Sequence, residues 1–205
     1  MRHPRKILSQ DGLTFIEVIV ALGVLLTGII SGLTLTSFNL NASAAAENRL
    51  RAANFAREAL EAIRQKRDSN WLAGNAWNNG ILQNPAQRYR LTVNFNPVAN
   101  TWSTLDQTNP IISCSACTLY YNPDNGVFSH ISSFPNQPSI FKRLVTLQEI
   151  CWQPAVSAES ILANGLHCSD SGLELIGWQL TSEVTWRDFN IDHLLQVVDR
   201  LYDWR

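Results

Sequence analysis

No proline lies between Leu13 and Asn70, no cysteine precedes Cys114, and between Leu13 and Phe38 the only formal charge is Glu17. The first absence leaves nothing to break a long helix. The second confines any disulfide or thiolate chemistry to the C-terminal half. The third is what a bilayer demands, because these 26 residues exceed the roughly 20 apolar residues that span one as a helix. Basic excess is missing too: the net charge is −1, and no basic cluster stands outside the long helical stretch, so no nucleic-acid surface is expected. H-E-x-x-H, G-x-S-x-G, P-loop and G-x-G-x-x-G patterns are all absent, and His130, His167 and His193 are scattered. No catalytic residue, metal site or cofactor is expected.

What is present divides the chain in four. Residues 1–12 form a short leader carrying Arg2, Arg5 and Lys6 against Asp11, whose removal takes the net charge from −1 to −3. Residues 13–38 are the apolar span. Basic residues just before it place the N-terminus in the cytoplasm and everything beyond about Asn39 across the membrane, a single-pass inner-membrane topology. An ordinary secretory signal has a shorter apolar run with its cleavage site on the far side, which this run lacks.

Residues 39–70 continue as an amphipathic helix, with Ala46, Leu50, Ala53, Leu60 and Ile63 at helical spacing. Glu47–Arg51 and Arg57–Glu61 are spaced as supporting i, i+4 pairs. About 55 helical residues would extend about 80 Å. Asp68-Ser69-Asn70 closes the periodicity, and Trp71 to Pro85, rich in Asn, Gly and Ala, reads as a loop.

Residues 71–205 read as a β-rich head. Arg88 to Phe95 alternates, Phe141 to Trp152 and Leu173 to Trp186 follow as strands, and Ile191 to Arg200 completes an antiparallel sheet unless Leu194 to Trp204 is a short helix. The fold class is therefore α+β, one long N-terminal helix packed on an antiparallel sheet.

Cys114, Cys117, Cys151 and Cys168 all fall in the segment placed outside the cytoplasm, where disulfides are allowed. Short loops favour Cys114 with Cys117 and Cys151 with Cys168, although three connectivities are open. Zinc would need a second C-x-x-C that is missing, and a redox C-x-x-C would open a helix, whereas Ser113 to Tyr121 reads as loop and strand. Asn122-Pro123-Asp124-Asn125-Gly126 reads as a turn in preference to a calcium loop. Trp71, Trp77 and Trp102, three of seven tryptophans, fall in expected loops and read as anchors rather than as a contact face.

The run Gly12-Leu13-Thr14-Phe15-Ile16-Glu17-Val18-Ile19 closely resembles the type IV prepilin signature. The resemblance implies that a membrane aspartic peptidase cuts between Gly12 and Leu13 on the cytoplasmic side and methylates the new amine of Leu13. It also implies that Glu17, fifth in the mature chain, pairs with that amine on a neighbouring subunit during assembly. A carboxylate in an apolar span needs such a reason, and a cation at the same depth supplies it; the plain alternative is a membrane-edge acid facing water. Leu13 departs from the usual phenylalanine, and Asp11 is acidic in a basic leader.

Gly23, Gly28 and Gly32 suit close helix packing or local unwinding. The absence of proline between Gly28 and Phe38 argues against the commonest major pilins. The end of the helix, Arg57 to Glu61, with Trp71, Val184-Thr185-Trp186 and Trp204, is similar to minor-pilin-like proteins of pilus and secretion systems. The resemblance implies other pilin subunits, the prepilin peptidase and an assembly platform with its ATPase as partners, and a structural role in a type IV pilus. The alternatives are a pseudopilin of type II secretion or DNA uptake, or an uncleaved membrane-anchored extracytoplasmic domain.

Overall fold

The computed structural model describes residues 14–83, 89–96, 99–188 and 190–203. The chain divides into two units, Met1–Glu47 and Asn48–Arg205. A single helix, α1 (Phe15–Leu72), contributes to both. In the first unit every described residue, Thr14 to Glu47, is exposed.

The second unit is a helix-on-sheet head. Its sheet holds eight strands among the described residues: β1 (Arg90–Asn96), β2 (Thr101–Gln107), β3 (Thr118–Tyr121), β4 (Phe128–Ser129), β5 (Gln137–Gln153), β6 (Ala158–Ile161), β7 (Glu174–Asp188) and β8 (Ile191–Tyr202). All pairings are antiparallel. The organising strand is β5, which pairs with β7 from Phe141↔Trp186 to Trp152↔Glu174. It also pairs with β3, β1 and β6 along its length. β7 then passes directly to β8, from Asp188↔Ile191 to Gly177↔Tyr202. The expected α+β layout is thus present, and Ile191 onward is strand, not helix. A period of two explains this: Leu195, Val197 and Leu201 turn toward the core side while Asp192, Leu194, Gln196, Val198 and Arg200 are exposed.

Small residues let the helix sit close to the sheet. Ala52, Ala56, Ala59 and Ala62 are buried with Phe55, Leu60 and Ile63. One cluster joins Leu60 and Ile63 to Leu91, Val93, Val145, Leu147, Leu180 and Leu201; another joins Phe55 to Leu119, Phe141, Val184 and Trp186. The buried stripe corrects the sequence reading in part, since Leu60 and Ile63 are core but Ala46 and Leu50 are exposed. A stripe through Ala52, Ala56 and Ala59 carries little hydrophobicity per residue, so the larger Leu50 outweighed it in sequence. Glu61 pairs with Arg64, which also reaches Asp199 on β8, so the side chain expected to serve Arg57 is engaged one turn further on.

The helix runs two residues past its expected end. Gly74 follows in the left-handed region at φ 72°, with Gly74 N–H donating to Trp71 O (3.0 Å) and Asn75 N–H to Asn70 O (2.9 Å). This is a Schellman closure with glycine at its αL position. Asn70 then folds the loop back by donating from Nδ2 to the carbonyls of Trp77 and Asn79.

The opposite face of β5 is covered too. Leu144 packs with Ile111, Cys114 and Cys117, and the Cys114–Cys117 disulfide closes that cover. Cys151–Cys168 ties β5 to the short 3-10 turn Cys168–Ser171. Both bridges are those that loop length favoured.

Candidate functional site

Gly12 and Leu13, the expected processing and methylation residues, lie outside the described residues. Thr14 and Glu17 are within them. Glu17 is exposed in the first turn of α1, and its backbone N–H donates to Thr14 O (3.0 Å) and Thr14 Oγ1 (3.4 Å). Thr-x-x-Glu is the spacing of a capping box, and a carboxylate in a first turn is favoured by the helix dipole. Both bonds run from the Glu17 backbone to Thr14, so Thr14 caps the helix start and the Glu17 carboxylate contributes through its place in the first turn.

Apart from Glu17, the helix from Phe15 to Phe38 is apolar on all sides. Phe15, Ile16, Ile19, Leu22, Leu26, Ile29, Ile30, Leu33 and Phe38 all face outward in the isolated chain. A helix hydrophobic all round belongs inside something, either lipid or a bundle of other helices. It is the one helix among the described residues that is long and apolar enough to cross a membrane. Its hydroxyls are fitted for such a medium. Thr27 donates to Gly23 O and Val24 O, Ser31 to Thr27 O, Thr34 to Ile30 O and Thr36 to Gly32 O. Each hydroxyl is satisfied within the helix, so none of these four requires water. Gly23, Gly28 and Gly32 face open space, with no heavy atom within 4 Å of an added Cβ.

In the head, a buried charge pins helix to sheet. Arg143 on β5 is 1% exposed; it donates from Nη1 to Phe55 O (3.1 Å) and the Glu58 carboxylate (3.1 Å), and from Nη2 to Val93 O (2.6 Å). Burial opposes its charge and Glu58 supports it. His130 lies in its field, with Nδ1 on Thr118 O (3.1 Å). Burial first and the Arg143 cation second push the His130 pKa down to about 3, while hydrogen bonds to backbone at Thr118 and Ala116 pull the other way. Arg143 was not singled out from sequence, since a lone arginine in a strand usually faces solvent.

The other histidines have separate duties. His167 Nδ1 meets Glu149 (2.8 Å), whose second oxygen accepts from Cys168 N (2.7 Å), and His193 stacks on Trp186. Glu149 stands within 4.8 Å of the sulfurs of Cys151 and Cys168, but both sulfurs are committed to their disulfide.

Asn122 to Gly126 forms the turn between β3 and β4. Asn122 Oδ1 accepts from Asp124 N, Asn125 Oδ1 accepts from Val127 N, and Gly126 sits at φ 72°. Its asparagine oxygens already serve the turn's own backbone. Two of the three tryptophans correct the loop assignment: Trp71 is in the last turn of α1 and Trp102 is on β2 against Phe95 (4.9 Å), whereas Trp77 lies in the expected loop, buried against Trp178 (4.8 Å). Trp77 and Trp102 act as anchors.

No family model, curated protein or solved structure matches the chain.

Proposed function

We propose that this chain is a structural subunit of a type IV pilus or pilus-like assembly, cut between Gly12 and Leu13, methylated on Leu13, and incorporated through its N-terminal helix. The observation that carries the reading is the contrast within α1. Its first part presents apolar side chains on every side, while from Ala52 to Ile63 one stripe is buried in the head. A membrane span alone explains the first feature; the Gly12-to-Ile19 resemblance adds the processing site and a use for Glu17.

On this reading the protein acts mechanically. Before assembly the helix lies in the cytoplasmic membrane with the head outside. During assembly the carboxylate of Glu17 meets the Leu13 amine of a neighbouring subunit, and the apolar surface passes from lipid to helix bundle with little change in hydration. Other pilin subunits, the prepilin peptidase and an assembly platform are its partners. The lack of proline between Gly28 and Phe38 favours a minor subunit.

Glu17→Gln tests the assembly role. Insertion and processing should proceed as in the wild type, while incorporation into filaments falls at least about tenfold, assayed by sheared-filament immunoblots. Normal incorporation of the variant would remove Glu17 from assembly, and absence of the wild type itself from sheared filaments would favour an anchored domain.

A further inference from the structure

β8 is an edge strand with an unusual amount of free edge. It runs for twelve residues, Ile191–Tyr202, and β7 is its only strand partner among the described residues. Alternate residues of such a strand direct their N–H and C=O groups away from the sheet. Natural edges of this length are blunted by proline, lysine, bulges or covering segments. Here the last proline is Pro154 and the last lysine is Lys142, and the β7–β8 register is unbroken through all twelve pairs. The outward face carries Leu194 and Val198, each more than half exposed.

The strand is also complementary to itself. Laid antiparallel against a second β8 with Gln196 opposite Gln196, Asp192 falls opposite Arg200 and Leu194 opposite Val198, each twice by symmetry. His193 falls opposite Asp199 and Leu195 opposite Val197. Apolar residues therefore meet apolar ones, and each end brings an acid to a base. Such a self-complementary patch is the requirement for a two-fold interface. In the single chain, Asp192 reaches Arg187 across the hairpin at 3.5 Å in an exposed pair, and Arg200 Nε reaches Gln179 at 3.4 Å. Both contacts are weak enough to be shared. The Arg200 N–H is held by Asp199 Oδ1 (2.9 Å), so the free edge extends from Asp192 to Asp199.

We propose that the head pairs with a second copy of this chain through β8, by antiparallel strand addition centred on Gln196, joining the two sheets. Phe55 clusters with Leu195, and Leu60 and Ile63 with Leu201, so the head part of α1 runs beside β8 in the same direction. Antiparallel pairing then sets the two helices in opposite directions. This pairing goes beyond the pilus reading and is measurable on unprocessed protein.

The test uses the full chain in detergent at less than one chain per micelle, with two differently labelled preparations and energy transfer between them. Wild type should pair. Asp192→Arg places arginines opposite Arg200 at both ends, and Arg200→Asp places aspartates opposite Asp192, so each variant alone should self-associate at least about tenfold more weakly. A mixture of the two variants restores both acid–base pairs and should associate like the wild type, which also shows that both variants fold. No association of the wild type at any accessible concentration, single variants that pair as well as wild type, or a mixture that stays apart would each overturn the proposal. Loss of pairing would leave leader cleavage unaffected, so the two claims fail separately.

Discussion

Arg143 on β5 and Glu58 on α1 meet at 3.1 Å, and the same guanidinium holds the carbonyls of Phe55 and Val93. Helix and sheet are thus fixed by a charged group with almost no access to water, in the middle of an otherwise apolar interface.

Replacing Arg143 by Ala should be severe. Two carbonyls would lose their donors inside the head, at about 1–3 kcal/mol for each buried group left unsatisfied. Glu58→Gln should cost less, about 1 kcal/mol, since the Glu58 side chain is 37% exposed and screened by water. Urea denaturation of the full chain in detergent, followed by tryptophan fluorescence, measures both. Equal, small losses would show that Arg143 is dispensable to the packing.

His130 makes stability depend on pH. Its folded pKa, about 3, lies below the ordinary value of 6.5, so between these the unfolded chain binds the extra proton. Stability contributed by neutral His130 is present above about pH 6.5 and falls as the pH drops toward 3, by at most ~1.4 kcal/mol per unit. His130→Gln should flatten this slope between pH 6.5 and 4.5. An unchanged slope in the variant would assign the acid sensitivity to other groups.

Gly177 is required by close approach of backbone. A Cβ there would lie 2.4 Å from Leu201 O and 3.1 Å from Tyr202 Cα, so the β7–β8 ladder must shift to admit it. Gly177→Ala should destabilise the head by at least about 2 kcal/mol. Gly28→Ala meets nothing within 4 Å and should leave head stability unchanged. The pair of melting curves separates backbone crowding from any general effect of losing glycine.

Much of this was legible because long elements leave long periodic traces. The unbroken run from Leu13 to Asn70 gave the helix, and alternation gave β1, β5 and β7. β3, β4 and β6 are at most four residues long, too short for a pattern to rise above turn residues; β2 is as long as β1, but two of its more buried positions are the polar Thr104 and Asp106, so Trp102 shows no alternation around it and reads as a loop residue. The helix face was half legible, because its contact stripe is built of alanines. Arg143 was invisible, since its burial is created by Glu58, Phe55 and Val93 arriving from distant parts of the chain. The Thr14–Glu17 cap was readable and was overshadowed by the prepilin resemblance at the same residues.

The central claim is that the leader is removed between Gly12 and Leu13. Its most direct test is the intact mass and N-terminal sequence of the full chain expressed with and without a prepilin peptidase. The account predicts a chain that begins at Leu13 and carries one added methyl, seen only when the enzyme is present. A chain that keeps its leader under both conditions would contradict it and leave a membrane-tethered head.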